Sequence, residues 1–304
     1  MTQATLTIAI VGDVHNQWDQ RDQQALVQLK VDLVLFVGDF GNEAVEVVQQ
    51  IAQIPLPMAV VCGNHDAWFS MTPWGLEKCP YDRSQEDRVQ AQLEVLGETH
   101  VGYGKRDFPD WNLSVVGARP FSWGGSTWWK TAFYRDRWGV DSFDDSTALM
   151  MDVVRSTQCD TLIFIGHNGP LGLGAEPEDP CGKDWQPIGG DHGDPDFAEV
   201  LSKTAQLNKQ VALVTFGHMH HTLRHTKTQQ RRSLHLDQGD RSSAPTLYLN
   251  AARVPRVKLP ETGESLHHFA LVTLKGGEID RASQAWVTPS GHVVEEEVLY
   301  QRTQ

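Results

Sequence analysis

The sequence predicts an α/β fold in which two packed β-sheets are flanked by helices. Short β-branched apolar runs recur along the chain, and each of the first three closes on a glycine followed by a polar residue, with helically spaced stretches between them. At 304 residues, 40% of them hydrophobic, the chain is long enough for a large core, and one domain spanning residues 1–304 is expected.

Taken in order, the apolar runs Leu6 to Val11, Val31 to Val37 and Met58 to Val61 predict strands, and Asp19 to Lys30 and Asn42 to Gln53 predict the helices between them. This rhythm is that of parallel βαβ units. Further strands are expected over Leu113 to Val116, Thr161 to Ile165, Val211 to Phe216, Thr246 to Leu249 and Phe269 to Leu274, with helices over Gln85 to Leu96, Asp144 to Ser156 and Asp196 to Leu207. Three segments read as loops or insertions. Gly102 to Asp145 holds Trp111, Trp123, Trp128, Trp129 and Trp138; Gly169 to Pro195 is dense in glycine, proline and aspartate; Thr222 to Ser243 is polar and basic, with Arg231, Arg232 and Arg241.

Composition narrows the function. A formal charge of −13, without a lysine or arginine stripe, disfavours nucleic acid as the main partner, because binding to phosphate backbones leans on a basic surface. No apolar run approaches the roughly 20 residues of a membrane span, and Met1-Thr2-Gln3 leads into the first strand without a basic n-region, so a soluble, cytoplasmic protein is expected. Cys62, Cys79, Cys159 and Cys181 form no C-x-x-C pair and read as reduced thiols.

Five strand ends carry metal-seeking residues: Gly-Asp13-Val-His15, Gly-Asp39, Gly-Asn64-His65-Asp66, Gly-His167-Asn168 and Gly-His218-Met-His220. Each alone is a common turn. Together, at the carboxyl ends of strands where α/β sheets gather ligands, they supply the mixed oxygen and imidazole set that two adjacent divalent cations require.

This series resembles the signature of the calcineurin-like metallophosphoesterases, which runs D-x-H, G-D-x-x-D/N, G-N-H-D/E, a later G-H, and G-H-x-H, and it covers the chain from Asp13 to His220. The resemblance implies a four-layer α-β-β-α sandwich with two mixed sheets. It implies one metal on Asp13, His15 and His220, a second on Asn64, His167 and His218, and Asp39 bridging them. Manganese, iron or zinc all suit such ligands. The implied activity is hydrolysis of a phosphoric monoester or diester, a small molecule, by a metal-activated hydroxide attacking phosphorus in line. His65 is implied to serve the departing oxygen, oriented by Asp66, with Asn64 also beside the substrate. A metal-binding scaffold of the same fold and a nuclease of similar core are the rival readings.

Two departures stand out. After the second motif the chain reads Phe40-Gly41-Asn42-Glu43, without the arginine of the protein serine/threonine phosphatases, and Gly169-Pro170 follows Gly166-His167-Asn168. Outside the signature, Arg119, just beyond a strand end, is a candidate phosphate contact, since a guanidinium fork fits phosphate oxygens. His192 is a candidate substrate contact, Asn250 a candidate support for a ligand, and His221 a mere neighbour of His220. The Trp-rich insertion is either a lid or substrate wall, or a satellite core or dimer contact. With the Gly-Pro-Asp loop, the run Gly117-Ala118-Arg119-Pro120 resembles a branch of the family found in cyanobacteria and plant plastids.

Overall fold

The computed structural model describes residues 5–238, 245–261 and 263–303. Chain order gives β1 (Thr5–Val11), α1 (Gln20–Gln28), β2 (Leu33–Phe36), α2 (Val45–Ile51), β3 (Met58–Val60), then α3 (Trp68–Met71), α4 (Pro73–Lys78) and α5 (Arg88–Leu96). There follow β4 (Lys105–Phe108), β5 (Leu113–Gly117), α6 (Thr131–Trp138), α7 (Phe143–Arg155), β6 (Thr161–Ile165), α8 (Pro195–Thr204) and β7 (Gln210–Phe216). The chain ends with β8 (Leu234–Asp237), β9 (Thr246–Asn250), β10 (Val257–Lys258), β11 (Leu266–Lys275), β12 (Glu278–Val287) and β13 (Val293–Gln301).

These strands form two mixed sheets. The first has the order β13-β12-β11-β1-β2-β3, with β10 on β11; β1, β2 and β3 are parallel, and β11 runs antiparallel to β1. The second has the order β4-β5-β6-β7-β9-β8, with four parallel inner strands and an antiparallel strand at each edge. Alternation within the strands explains the layering. Leu6, Ile8 and Ile10 of β1 share a core with Leu33 and Leu35 of β2 and with Leu113, Val115, Ile163, Ile165, Leu213, Leu247 and Leu249 of the other sheet. Residues one step along, such as Ala9, Val11, Val34 and Phe36, instead join the helix residues Ala25, Leu26, Val48 and Ile51. Both faces of each sheet are therefore covered, and the order of layers is helix, sheet, sheet, helix. Truncating an inter-sheet side chain such as Ile163 to alanine would cost about 2–5 kcal/mol.

Helix ends follow their caps. Asp19 accepts the backbone N–H of Arg21, and the Asp22 carboxylate reaches back to the N–H of Asp19, which starts α1. Ser142 accepts the N–H of Asp145 and starts α7, which turns Met150, Met151 and Val154 inward.

Several elements differ from the sequence reading. Gly102 to Asp145 is not a plain loop around the expected strand β5: it also holds β4 and α6. Its charged strand Lys-Arg-Asp-Phe, at a sheet edge, has no apolar alternation to betray it. β8 lies inside the polar segment Thr222 to Ser243, of which Arg241 falls outside the described residues. The hairpin β12-β13 was not expected either, because β13 is an exposed edge strand carrying Glu295, Glu296 and Glu297 in succession. Cys62, Cys159 and Cys181 are buried and Cys79 half-buried, all as free thiols. No helix among the described residues is long and apolar enough to cross a membrane.

Candidate metal centre

The parallel strands of both sheets deliver their carboxyl ends to one edge of the sandwich, and the five motif loops start there. Asp13 and His15 follow β1, Asp39 follows β2, Asn64 opens the turn after β3, His167 follows β6, and His218 and His220 follow β7. Side chains up to 205 residues apart meet, since His15 Nε2 lies 3.2 Å from His220 Nε2. Three groups form among the described residues, Asp13 with His15 and His220, Asp39 with His167 and His218, and His15 with Asp39 and His65 between them; within each, the potential ligand atoms lie within 4.8 Å of one another. Asn64 belongs with the second, its Oδ1 standing 2.8 Å from His167 Nε2 and 2.9 Å from His218 Nδ1.

Asp39 faces the first two groups. Its Oδ1 lies 3.3 Å from His167 Nε2, and its Oδ2 lies 3.7 Å from His15 Nε2. One carboxylate thus addresses the two ligand sets with different oxygens.

Backbone strain marks this edge. Asp13, His15, Asp39 and His218 adopt positive φ of 41°, 43°, 56° and 64°. Such conformations persist only where surrounding contacts over-determine them, at about 1–3 kcal/mol each. The contacts run from loop to loop: His15 N–H donates to Asp39 O at 2.7 Å, Gly217 N–H to His167 O at 2.7 Å, and His218 N–H to Asp13 Oδ1 at 3.0 Å. Two motif glycines are required by close approach. A Cβ on Gly63 would stand 2.3 Å from Asp39 Oδ1, and one on Gly217 would stand 2.3 Å from Asp13 Oδ1.

The donor set fits cations. His167 Nδ1 is 2.8 Å from the carbonyl oxygen of Val37, which fixes its proton there and leaves Nε2 bare. Bare Nε2 then faces the acceptor Asn64 Oδ1 at 2.8 Å, an arrangement of two lone pairs that a positive charge between them would relieve. Asp13 Oδ2 is buried with His220 Nε2, 3.1 Å away, as its one near polar partner among the described residues, and the contact is not a well-formed hydrogen bond. Burial opposes ionisation of Asp13, but His220, His167 and His15 hold its carboxyl well below the usual range, whereas burial and the charge of Asp13 push Asp39 well above it. Burial also depresses His15 and His218, keeping them neutral and able to ligate. Burial opposes the charging of His220, but its contact with Asp13 raises it; the two buried carboxyl groups and the imidazoles around them make the mixed oxygen and nitrogen set that divalent cations take.

His65 stands at the rim, its ring 4.9 Å from that of His15. The sequence reading has Asp66 orienting it; the structure corrects this. His65 Nδ1 is 2.6 Å from Asn42 Oδ1, and the ring stacks on Trp68 at 4.4 Å. Asp66 is fully buried and accepts the backbone N–H groups of Gly63 at 2.6 Å, Phe40 at 2.8 Å and Asp39 at 3.0 Å. Its oxygens are engaged in tying the second motif loop to the third, so it braces Asp39 and leaves His65 to Asn42. Asn42 was legible, since it fills the last place of G-D-x-x-D/N, but its role was not assigned.

Arg119 is a second correction. It is 6% exposed, donates to Asp194 at 2.8 Å and to Asp196 at 2.8 Å, and sits among the rings of Trp128, Tyr134 and Phe143. A guanidinium so enclosed joins the aromatic insertion to the start of α8 and is not placed to hold phosphate. The aromatic segment accordingly packs much of itself as a satellite core, with Phe121, Phe133, Tyr134 and Trp138 in mutual contact.

His192 does reach the centre's edge: its ring lies parallel to His218 at 6.1 Å, and its Nε2 donates to Trp123 O at 2.9 Å. Asn250 donates to Met219 O at 2.9 Å, steadying the residue between His218 and His220. His221 turns away to Gln230.

Residues 6–222 match a family model described as calcineurin-like phosphoesterase. Among curated proteins there is no match. Of solved structures, the purple acid phosphatase PPD1 from yellow lupin (Lupinus luteus) seeds aligns at TM-score 0.50 and 14% identity, over 97% of this chain and 54% of that one. The chain therefore spans about half the length of the lupin enzyme. A dimetal phosphatase from Danio rerio aligns at TM-score 0.45 and 14% identity, over 98% of this chain and 99% of that one. At these identities the likeness to the lupin enzyme is one of fold.

Proposed function

Because the chain belongs to the calcineurin-like phosphoesterases, a family of metal-dependent hydrolases, we propose that it works with two divalent cations and attacks phosphorus in line in a small-molecule phosphoric ester. The observation that carries this reading is Asp39, with one oxygen toward His167 and the other toward His15. Asp13, His15 and His220 would hold one cation, Asn64, His167 and His218 the other, and Asp39 both. Bound there, the pair would supply Lewis acidity and a water of lowered pKa.

The remaining work falls to the chain's own side chains. The Val37 carbonyl keeps His167 in the ligating tautomer. Asn42 keeps the proton of His65 on Nδ1, so Nε2 begins as a proton acceptor. Burial, with His15 and His167 nearby, depresses His65 to about 3; to serve the departing oxygen it must first gain a proton, which an arriving phosphoryl dianion favours. Trp68, stacked on His65 and on Trp123, keeps the ring from swinging away and screens it from water.

The test is turnover of p-nitrophenyl phosphate and of bis(p-nitrophenyl) phosphate by the manganese-loaded chain. Metal-dependent release of nitrophenol from at least one ester, abolished by Asp39→Ala, is expected. Metal-dependent turnover that survives Asp39→Ala would overturn the reading.

A further inference from the structure

Arg119 is enclosed and no arginine closely follows Asp39, but another guanidinium stands at the end of a line of rings that leads out from His218. Arg224 lies four residues beyond His220. Its guanidinium sits over the ring of Trp185, 5.4 Å from the centroid; Trp185 meets His192 edge-on at 4.7 Å; His192 lies parallel to His218 at 6.1 Å. A continuous line of rings thus leads from the ligand group to this cation.

Its neighbours are already committed. Arg231 donates to the carbonyls of His220, Pro177, Asp179 and Gly182, and Arg232 pairs with Asp179. The Arg224 side chain is exposed, and its guanidinium has no hydrogen bond or ion pair among the described residues. Its backbone, by contrast, is braced: Arg224 N–H donates to the buried carboxylate of Asp184 at 2.8 Å, and the same oxygen lies 3.2 Å from Arg231. A free fork on a fixed stem can close on an incoming anion without breaking an existing pair.

We propose that Arg224 grips a non-bridging oxygen of the substrate's phosphoryl group, and by its charge favours dianionic monoesters over monoanionic diesters. This rests on the hydrolase reading above. It also gives the three insertions a shared purpose, since Trp123, Trp185 with His192, and Arg224 come one from each and line the same rim.

The experiment measures binding of inorganic phosphate to the manganese-loaded wild type, Arg224→Ala and Arg224→Lys by calorimetry, alongside KM and kcat for the two nitrophenyl esters. Arg224→Ala is expected to weaken phosphate binding and raise the monoester KM by about tenfold to a hundredfold, the worth of a charge-assisted contact. The diester KM changes less, kcat stays within a few-fold, and Arg224→Lys recovers part of the loss. Equal phosphate affinity in wild type and Arg224→Ala, or no phosphate binding by the wild type, overturns the proposal. Phosphate binding that depends on Arg224 in a chain that hydrolyses neither ester would sink the hydrolase reading alone, leaving the contact in place.

Discussion

The strand-end loops and the insertion rim sit side by side yet are built on opposite plans. In the loops, the metal-seeking side chains converge on strained backbone that is hydrogen-bonded loop to loop, and glycines are forced by approaches of 2.3 Å. On the rim, Trp123, Trp185, His192 and Arg224 come from segments without regular structure, and Arg224 keeps a free guanidinium among the described residues. The first plan leaves no room to adjust and suits chemistry that every substrate shares. The second can change without disturbing the first, and suits selection among substrates.

That contrast is breakable, and the largest effect belongs to the loops. Asp39→Ala should extinguish turnover of both esters together, read as nitrophenol release with added Mn²⁺; loss for one ester only would erase the distinction between shared chemistry and selection. Next comes Arg119→Met, which strands Asp194 and Asp196 in the interior. It should cost about 3–5 kcal/mol in denaturant unfolding, while the folded fraction keeps its phosphate affinity. Asp194 and Asp196 are each 1% exposed, and burial pushes the Asp194 carboxyl up to about 6 even with Arg119 beside it. Asp66→Asn should cost about 1–3 kcal/mol for each buried N–H left unpaired, and unlike Arg119→Met it should also lower manganese affinity, because the N–H of Asp39 is one of them. Asn42→Ala should lower kcat about tenfold with KM little changed, a part of the roughly hundredfold or more that a positioned acid or base contributes.

The smallest effect lies outside both regions. Burial depresses His100 to about 4 from its ordinary 6.5, and its Nε2 is buried without a partner. The unfolded chain therefore binds a proton more readily between those values, so this residue's contribution is complete above pH 6.5 and is lost as pH falls toward 4. The slope is up to about 1.4 kcal/mol per pH unit, seen as a falling unfolding midpoint and flattened in His100→Phe.

How much of this was legible in the sequence follows the same divide. The βαβ strands announce themselves because both faces are covered, so Ile8 to Val11 and Leu162 to Ile165 read as unbroken apolar runs. The residues that the fold brings together at the candidate centre stood out because each lies close after a strand end. What fell from view were elements with no apolar period, such as β4 and β13, and partnerships that depend on folding. Nothing in the order of residues says that Asp66 would face three backbone N–H groups, or that Arg119 would find Asp194 and Asp196 some 75 and 77 residues away while the Arg224 guanidinium has no ion pair among the described residues. Charge pairing is settled by packing, and packing is what takes Arg119 out of the part expected of it.

The most direct test of the dinuclear centre is manganese anomalous scattering from a crystal of the wild-type chain grown with Mn²⁺. The account predicts two peaks, one within bonding distance of Asp13, His15 and His220 and one of Asn64, His167 and His218, with a different oxygen of Asp39 on each. A single peak, or two with the Asp39 carboxylate on neither or on one alone, would contradict it.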